Sequence, residues 1–123
     1  MSLLFKIIDF LYQKRKYSFL KKTINKNMDV LIDVGAHDGD TINEFLKIFS
    51  VKKIYAFEPS KRNFDKLKEK TKKIKKIFSL EIDINQVGLG QKNDVLILNE
   101  ITDGVSNTFN SLNLNSTYFK KKG

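Results

Sequence analysis

The densest concentration of chemistry-bearing residues is Asp33-Val34-Gly35-Ala36-His37-Asp38-Gly39-Asp40-Thr41, and Glu58 stands 19 residues beyond Gly39. Glycines at Gly35 and Gly39 let the backbone turn sharply and let a ligand approach with no Cβ in the way. A carboxylate in the position of Glu58 can accept hydrogen bonds from both hydroxyls of a ribose, one on each oxygen. Pro59 stiffens the turn that aims it. Asp33 can receive a cationic group. Imidazole is the side chain best suited to moving a proton near neutral pH, so His37 is read both as a local hydrogen-bonding residue and as a candidate base.

These residue types narrow the ligand. A dinucleotide loop asks for G-x-G-x-x-G, but His37 stands where the second glycine would open room for a pyrophosphate. Asp33 beside a pyrophosphate would set like charges together, whereas a cationic sulfonium cofactor with its amino group suits the two acids. No G-x-x-x-x-G-K-[ST] phosphate loop occurs.

The elements that must hold these residues are legible in the apolar patterning. Met28 to Val34 is a nearly continuous apolar run ending at Gly35, which reads as a strand buried on both faces of a parallel sheet. Thr41-Ile42-Asn43-Glu44 offers a capping box for a helix whose apolar face is Ile42, Phe45, Leu46 and Phe49. Ile54 to Phe57 is a second strand, closed by Glu58-Pro59. Ser60 caps a further helix with Phe64, Leu67 and Ile74 inward, fraying at Lys75-Lys76. Ile77 to Leu89 is expected to contain one or two strands, chiefly Ile84 to Leu89, and Val95 to Leu98 is expected as a further strand, antiparallel to its predecessor because the connection is short. Strand, helix, strand, helix, strand means an α/β fold with a Rossmann-like doubly wound parallel sheet, in which ligands bind beyond the carboxyl ends of the strands.

Residues 1–26 form a separate N-terminal unit in this reading, with residues 27–123 as the Rossmann-like domain. Leu4, Ile7, Ile8 and Leu11 recur at helical spacing, which predicts an amphipathic helix reaching about Lys22. The helix caps the core, or lies on an anionic membrane surface through the basic residues of segment 1–22, among them Lys14, Arg15, Lys16, Lys21 and Lys22. The basic cluster follows the apolar run, which is the wrong order for a signal peptide, and a cytoplasmic location is expected.

Asp33 to Thr41, followed by Ala56-Phe57-Glu58-Pro59, resembles the FkbM family of S-adenosylmethionine-dependent methyltransferases, whose members carry a DVGANxGxxT-like loop and an AFEP-like strand end. The resemblance runs on through Asn85 to Gly90, Val95 to Leu98 and Gly104 to Thr108. It implies S-adenosylmethionine as cofactor and O-methylation of a sugar or other small hydroxyl acceptor. By that resemblance Asp33, Gly35 and Gly39 shape the pocket for the methionyl part, Thr41 begins the helix that closes it, and Glu58 holds the ribose. His37 stands where the family commonly has Asn. No residue is assigned as the catalytic base.

Nothing after Leu98 resembles the K-I-D-V-E-G-like segment with which the family continues. The expectation is therefore the amino-terminal half of a methyltransferase domain, inactive in methyl transfer by itself, with an unpaired edge at Asp29 to Val34 through which the chain dimerises, takes up a complementing polypeptide or aggregates. The alternative is a noncatalytic binding or interaction module: a cofactor-binding remnant, or a module associated with a membrane surface or nucleic acid.

Composition sets the outer limits. With 123 residues the chain allows one compact domain, and 41% hydrophobic with 30% charged residues excludes both an acidic disordered tail and a membrane bundle. The absence of cysteine excludes a disulfide scaffold, a thiol nucleophile, a cysteine zinc site and an iron–sulfur cluster. A net charge of +9 permits polyanionic partners. Without a recognition motif beside that charge, nucleic acid is not the expected partner.

Overall fold

The computed structural model describes residues 15–100 and 107–110. Residues 15–23 are helical (α1), followed by β1 (Asn27–Val34), α2 (Asp40–Leu46), β2 (Ser50–Phe57), α3 (Lys61–Phe78) and β3 (Glu81–Asn85). The three strands form one sheet in the order β1-β2-β3, and both pairings are parallel. The chain is thus an α/β protein in which each parallel pair is joined through a helix, as parallel pairing requires.

The register explains where the core sits. Leu31, Ile54 and Ile82 lie side by side across the sheet, and Ala56 pairs with Asp33 on one side and Ile84 on the other. Ile54, Ala56 and Ile82 are buried with Ile42 and Leu46 of α2 and Leu67 and Ile74 of α3, so both helices cover this face. Phe45 and Phe49 close the lower edge, their ring centroids 5.1 Å apart. Leu20 of α1 packs against the same cluster.

The other face differs from the sequence expectation. β1 is not buried on both sides: Val30, Ile32 and Val34 are 48, 61 and 59% exposed, because α2 and α3 both pack on the opposite face. Next to this stripe, Lys53 bridges β2 to β3 through Glu81 at 2.8 Å and Asp83 at 3.4 Å.

Three further expectations are corrected. Thr41 and Glu44 do not form a capping box, because α2 begins at Asp40, behind a left-handed Gly39 with no side-chain cap. The third strand falls within Ile77 to Leu89 as expected, but as Glu81–Asn85 rather than Ile84 to Leu89, set by Ile82 and Ile84 in register with Ile54 and Ala56. Val95 to Leu98 is not a strand. A short apolar run becomes a strand only where a ladder partner meets it, and in this region of the described residues the pairing is a single antiparallel bridge between Asn99 and Thr108.

The Ser60 cap is present, its Oγ accepting from the Asn63 N–H at 3.4 Å. α3 does not fray at Lys75 but runs to Phe78, where left-handed Ser79 donates its N–H to the Lys75 carbonyl at 3.3 Å. The helix expected up to Lys22 is seen over residues 15–23, while Leu4, Ile7, Ile8 and Leu11 lie outside the described residues. Among the described residues no helix is long and apolar enough to cross a membrane.

Candidate functional site

The carboxyl ends of β1 and β2 are tied together by backbone before any side chain acts. The N–H groups of Gly35 and Ala36 both donate to the Phe57 carbonyl, at 2.9 and 3.0 Å. This requires the chain to reverse at once after β1, and Gly35 does so with φ of 76°. The next donor, the His37 N–H, meets Oε2 of Glu58 at 2.8 Å. Oε1 of Glu58 accepts the Ser60 N–H at 2.9 Å. Glu58 is only 5% exposed, so a buried carboxylate holds the β1 loop on one oxygen and the start of α3 on the other.

Gly39 serves packing. Its φ is 87°, and a Cβ there would come within 2.9 Å of Cδ1 of Leu67, so the loop lies directly on α3. Lys70 of α3 fixes the same loop from outside, 3.1 Å from Asp38 and 2.5 Å from Asp40. Burial alone would raise the Asp38 carboxyl, but hydrogen bonds from Lys70, His37 and the Asp40 N–H outweigh it and hold Asp38 below the usual range.

Asp33 behaves oppositely. Burial, and then the charge of Glu58, push its carboxyl above the usual range. Its Oδ2 is buried without a hydrogen-bond partner among the described residues, as is Nε2 of His37. Nδ1 of His37 lies 3.3 Å from Asp38, and the residue adopts φ of 51°. Two acids and an imidazole thus gather at the strand ends with polar atoms left over.

Beside them is a cavity of about 280 Å³, bounded by Gly35, His37 and Glu58 on one side and by Asn63, Leu98 and Phe109 on the other. A second cavity of about 440 Å³ adjoins it, sharing Pro59, Leu98 and Phe109 and continuing along Val87 and Leu96. Phe109 lies against the backbone of Gly88, where a Cβ would meet its ring at 2.9 Å. Asn99 and Thr108 hold the Phe109 segment by reciprocal backbone bonds of 2.8 and 3.2 Å. Ser60 ties the same region to α3 by donating its Oγ–H to Glu100 at 2.5 Å.

Of the residues singled out from the sequence, Gly35, His37 and Glu58 line the cavity. Asp33 interacts with Glu58 from the neighbouring strand. Gly39 is buried under α3, and Thr41 is exposed on α2 and lines neither cavity. Sequence reasoning missed Asn63, Leu98 and Phe109 as wall residues. Gly88, a glycine just past β3, is the local signal that something approaches closely there, but not that it is Phe109.

Comparison with protein-family models, with curated proteins and with solved structures finds no match.

Proposed function

We propose that the cleft beyond β1 and β2 takes S-adenosylmethionine, and that the sheet, covered by α2 and α3 on one face only rather than wound on both, is a Rossmann-like layer serving methyl transfer to a small hydroxyl acceptor, as the FkbM resemblance implies. The observation that carries this reading is the buried Glu58 carboxylate at the end of β2, hydrogen-bonded to the His37 N–H.

The residues fit that cofactor better than a phosphate-bearing one. A glycine loop after a parallel strand commonly turns its N–H groups to a phosphate. Here Glu58 already occupies the His37 N–H and Phe57 those of Gly35 and Ala36, so a phosphate would find donors spent and an acid in its place. A group with ribose hydroxyls and a cationic amine meets the reverse situation. Each Glu58 oxygen keeps a lone pair beside its backbone bond, able to accept a hydroxyl. Asp33 lines neither cavity, but it interacts with Glu58 and carries a buried oxygen with no hydrogen-bond partner among the described residues. Leu98 and Phe109 supply an apolar wall.

When bound, the cofactor supplies an electrophilic methyl group on sulfonium. The chain's own residues orient it and set the local charge: two carboxylates favour the positively charged donor over its neutral demethylated product, which aids product release. Isothermal titration with S-adenosylmethionine and S-adenosylhomocysteine tests the reading on wild type and Asp33→Asn. Micromolar to millimolar binding is expected in the wild type, with preference for the cationic form reduced in the variant. Failure of the folded chain to bind either compound would sink it.

A further inference from the structure

The chain carries 23 Lys and Arg in 123 residues, yet none falls in β1, whose sequence is NMDVLIDV. β1 is the outer strand, paired with β2 on one side and with no ladder partner on the other among the described residues. Exposed edges are ordinarily kept from pairing by lysine or proline, and β1 has neither. Its charges are Asp29, tied to Lys52 at 2.7 Å, and Asp33, held at the acid pair. The exposed stripe of Val30, Ile32 and Val34 stands along this same edge. A protein so rich in lysine that leaves its open edge apolar has an edge fit for pairing.

We propose that β1 pairs antiparallel with β1 of a second copy of this chain, across a two-fold axis normal to the sheet and centred on Val30. A two-fold in that direction keeps each sheet face on its own side, so opposed residues share a face. Three centres are then open to an apolar ladder, and the residues choose between them. Centring on Leu31 sets Asp29 opposite Asp33 in both copies, two like-charged pairs that oppose association. Centring on Ile32 drives the ladder into Gly35, whose φ of 76° is not extended, and leaves only Val30 to Val34 paired. Centring on Val30 pairs residues 27–33: Val30 with itself, Met28 with Ile32, Asp29 with Leu31 and Asn27 with Asp33. No like charges meet, and the apolar side chains become cross-strand neighbours. The same patch serves both copies, so the interface closes as a dimer and joins two three-stranded sheets into one of six. This pairing is independent of what the cleft binds.

Because the chain has no cysteine, an introduced thiol reports its own surroundings. In the proposed register the two Val30 Cα atoms stand about 4.5–5.5 Å apart, within reach of a disulfide. The two Val34 Cα atoms are then roughly 26 Å apart along the strands. Full-length Val30→Cys is therefore expected to form a covalent dimer under mild oxidation, at least tenfold faster than Val34→Cys. Light scattering during size exclusion is expected to give twice the 14.3 kDa chain mass for the wild type and the chain mass for Ile32→Lys, with circular dichroism confirming that the variant is folded. A wild-type monomer at all concentrations, open-ended aggregation, or equal crosslinking at both positions would each overturn the proposal. If Ile32→Lys does not fold, the two cysteine rates and the wild-type mass still decide it.

Discussion

The His37 N–H donates to Oε2 of Glu58 at 2.8 Å, across 21 residues of sequence and between two strand ends. With the Ser60 N–H on the other oxygen, Glu58 is a structural clamp as well as a wall of the cleft. A buried carboxylate is tolerable there because two backbone donors aim at it.

Removal of that clamp leaves two donors without their acceptor. Glu58→Ala is expected to lower the unfolding free energy by about 3 kcal/mol, the upper range for hydrogen bonds to a charged group. Glu58→Gln, which keeps one acceptor oxygen and turns an amide against the other donor, falls between. Urea unfolding followed by circular dichroism measures both. Coincident curves for wild type and Glu58→Ala would show the bonds to be dispensable.

Asp33 predicts a stability change of opposite sign. Its folded carboxyl is raised above the ordinary value of 3.8 by burial and by Glu58, so the folded state holds this proton more tightly than the unfolded chain. The associated penalty is absent below the ordinary value, grows as pH rises from it through the raised one, and is complete above the raised value. Asp33→Asn is therefore expected to be more stable than wild type at pH 7, with the difference vanishing towards pH 3.8. A variant less stable at neutral pH would mean that Asp33 has a partner that holds it ionised.

Lys70 gives the ordinary acid case. Asp38 is held below 3.8 because the bonds from Lys70, His37 and the Asp40 N–H outweigh its burial, so its contribution is present above that value and is lost as pH falls through the lowered one. Lys70→Met is expected to cost about 1 kcal/mol at low salt and less at 1 M NaCl, since the cluster is partly exposed and screened. Salt titration of the unfolding midpoint in both proteins reads the difference.

The two loop glycines are separable. Gly35 has φ of 76° with open space around its missing Cβ, so Gly35→Ala costs the left-handed backbone term alone, about 1–2 kcal/mol. Gly39 combines φ of 87° with Leu67 at 2.9 Å, so Gly39→Ala is expected to cost more, about 2–4 kcal/mol by adding core overpacking. Thermal unfolding of the pair should rank them in that order.

What the sequence made legible was the part governed by local pattern. The strand ending at Val34, the loop with glycines at 35 and 39, the strand ending at Phe57 and the Ser60 cap each have a one-dimensional signal. The Glu58 position was legible from its spacing, but not its bonds to His37 and Ser60, which depend on how the loop folds back over β2. Apolar character alone misled at Val95 to Leu98, where no ladder partner arrives, and at β1, where a run that reads as doubly buried has one face open. Thr41 illustrates the same limit at a cap: the S/T-x-x-E spacing was present, but left-handed Gly39 is the cap and starts the helix two residues earlier.

Phe109 carries the last expectation, because it forms a wall of both cavities while being held by contacts outside the sheet. Its ring lies so close to Gly88 that a methyl group there would meet Cζ at 2.9 Å and Cε2 at 3.1 Å. Gly88 does not need a left-handed backbone, and the ring it would strike is 43% exposed, so Gly88→Ala can be absorbed by swinging Phe109 away. The thermal midpoint is therefore expected to stay within about 2 °C of wild type, the shift of a few tenths of a kcal/mol in a domain of this size. The cleft, however, loses its wall. If S-adenosylmethionine occupies it, Gly88→Ala and Phe109→Ala should each weaken binding about tenfold by calorimetry, the loss of one apolar contact face of roughly 1.4 kcal/mol. Binding unchanged in both variants would place the ligand away from Phe109 and confine it to the end formed by Gly35, His37 and Glu58.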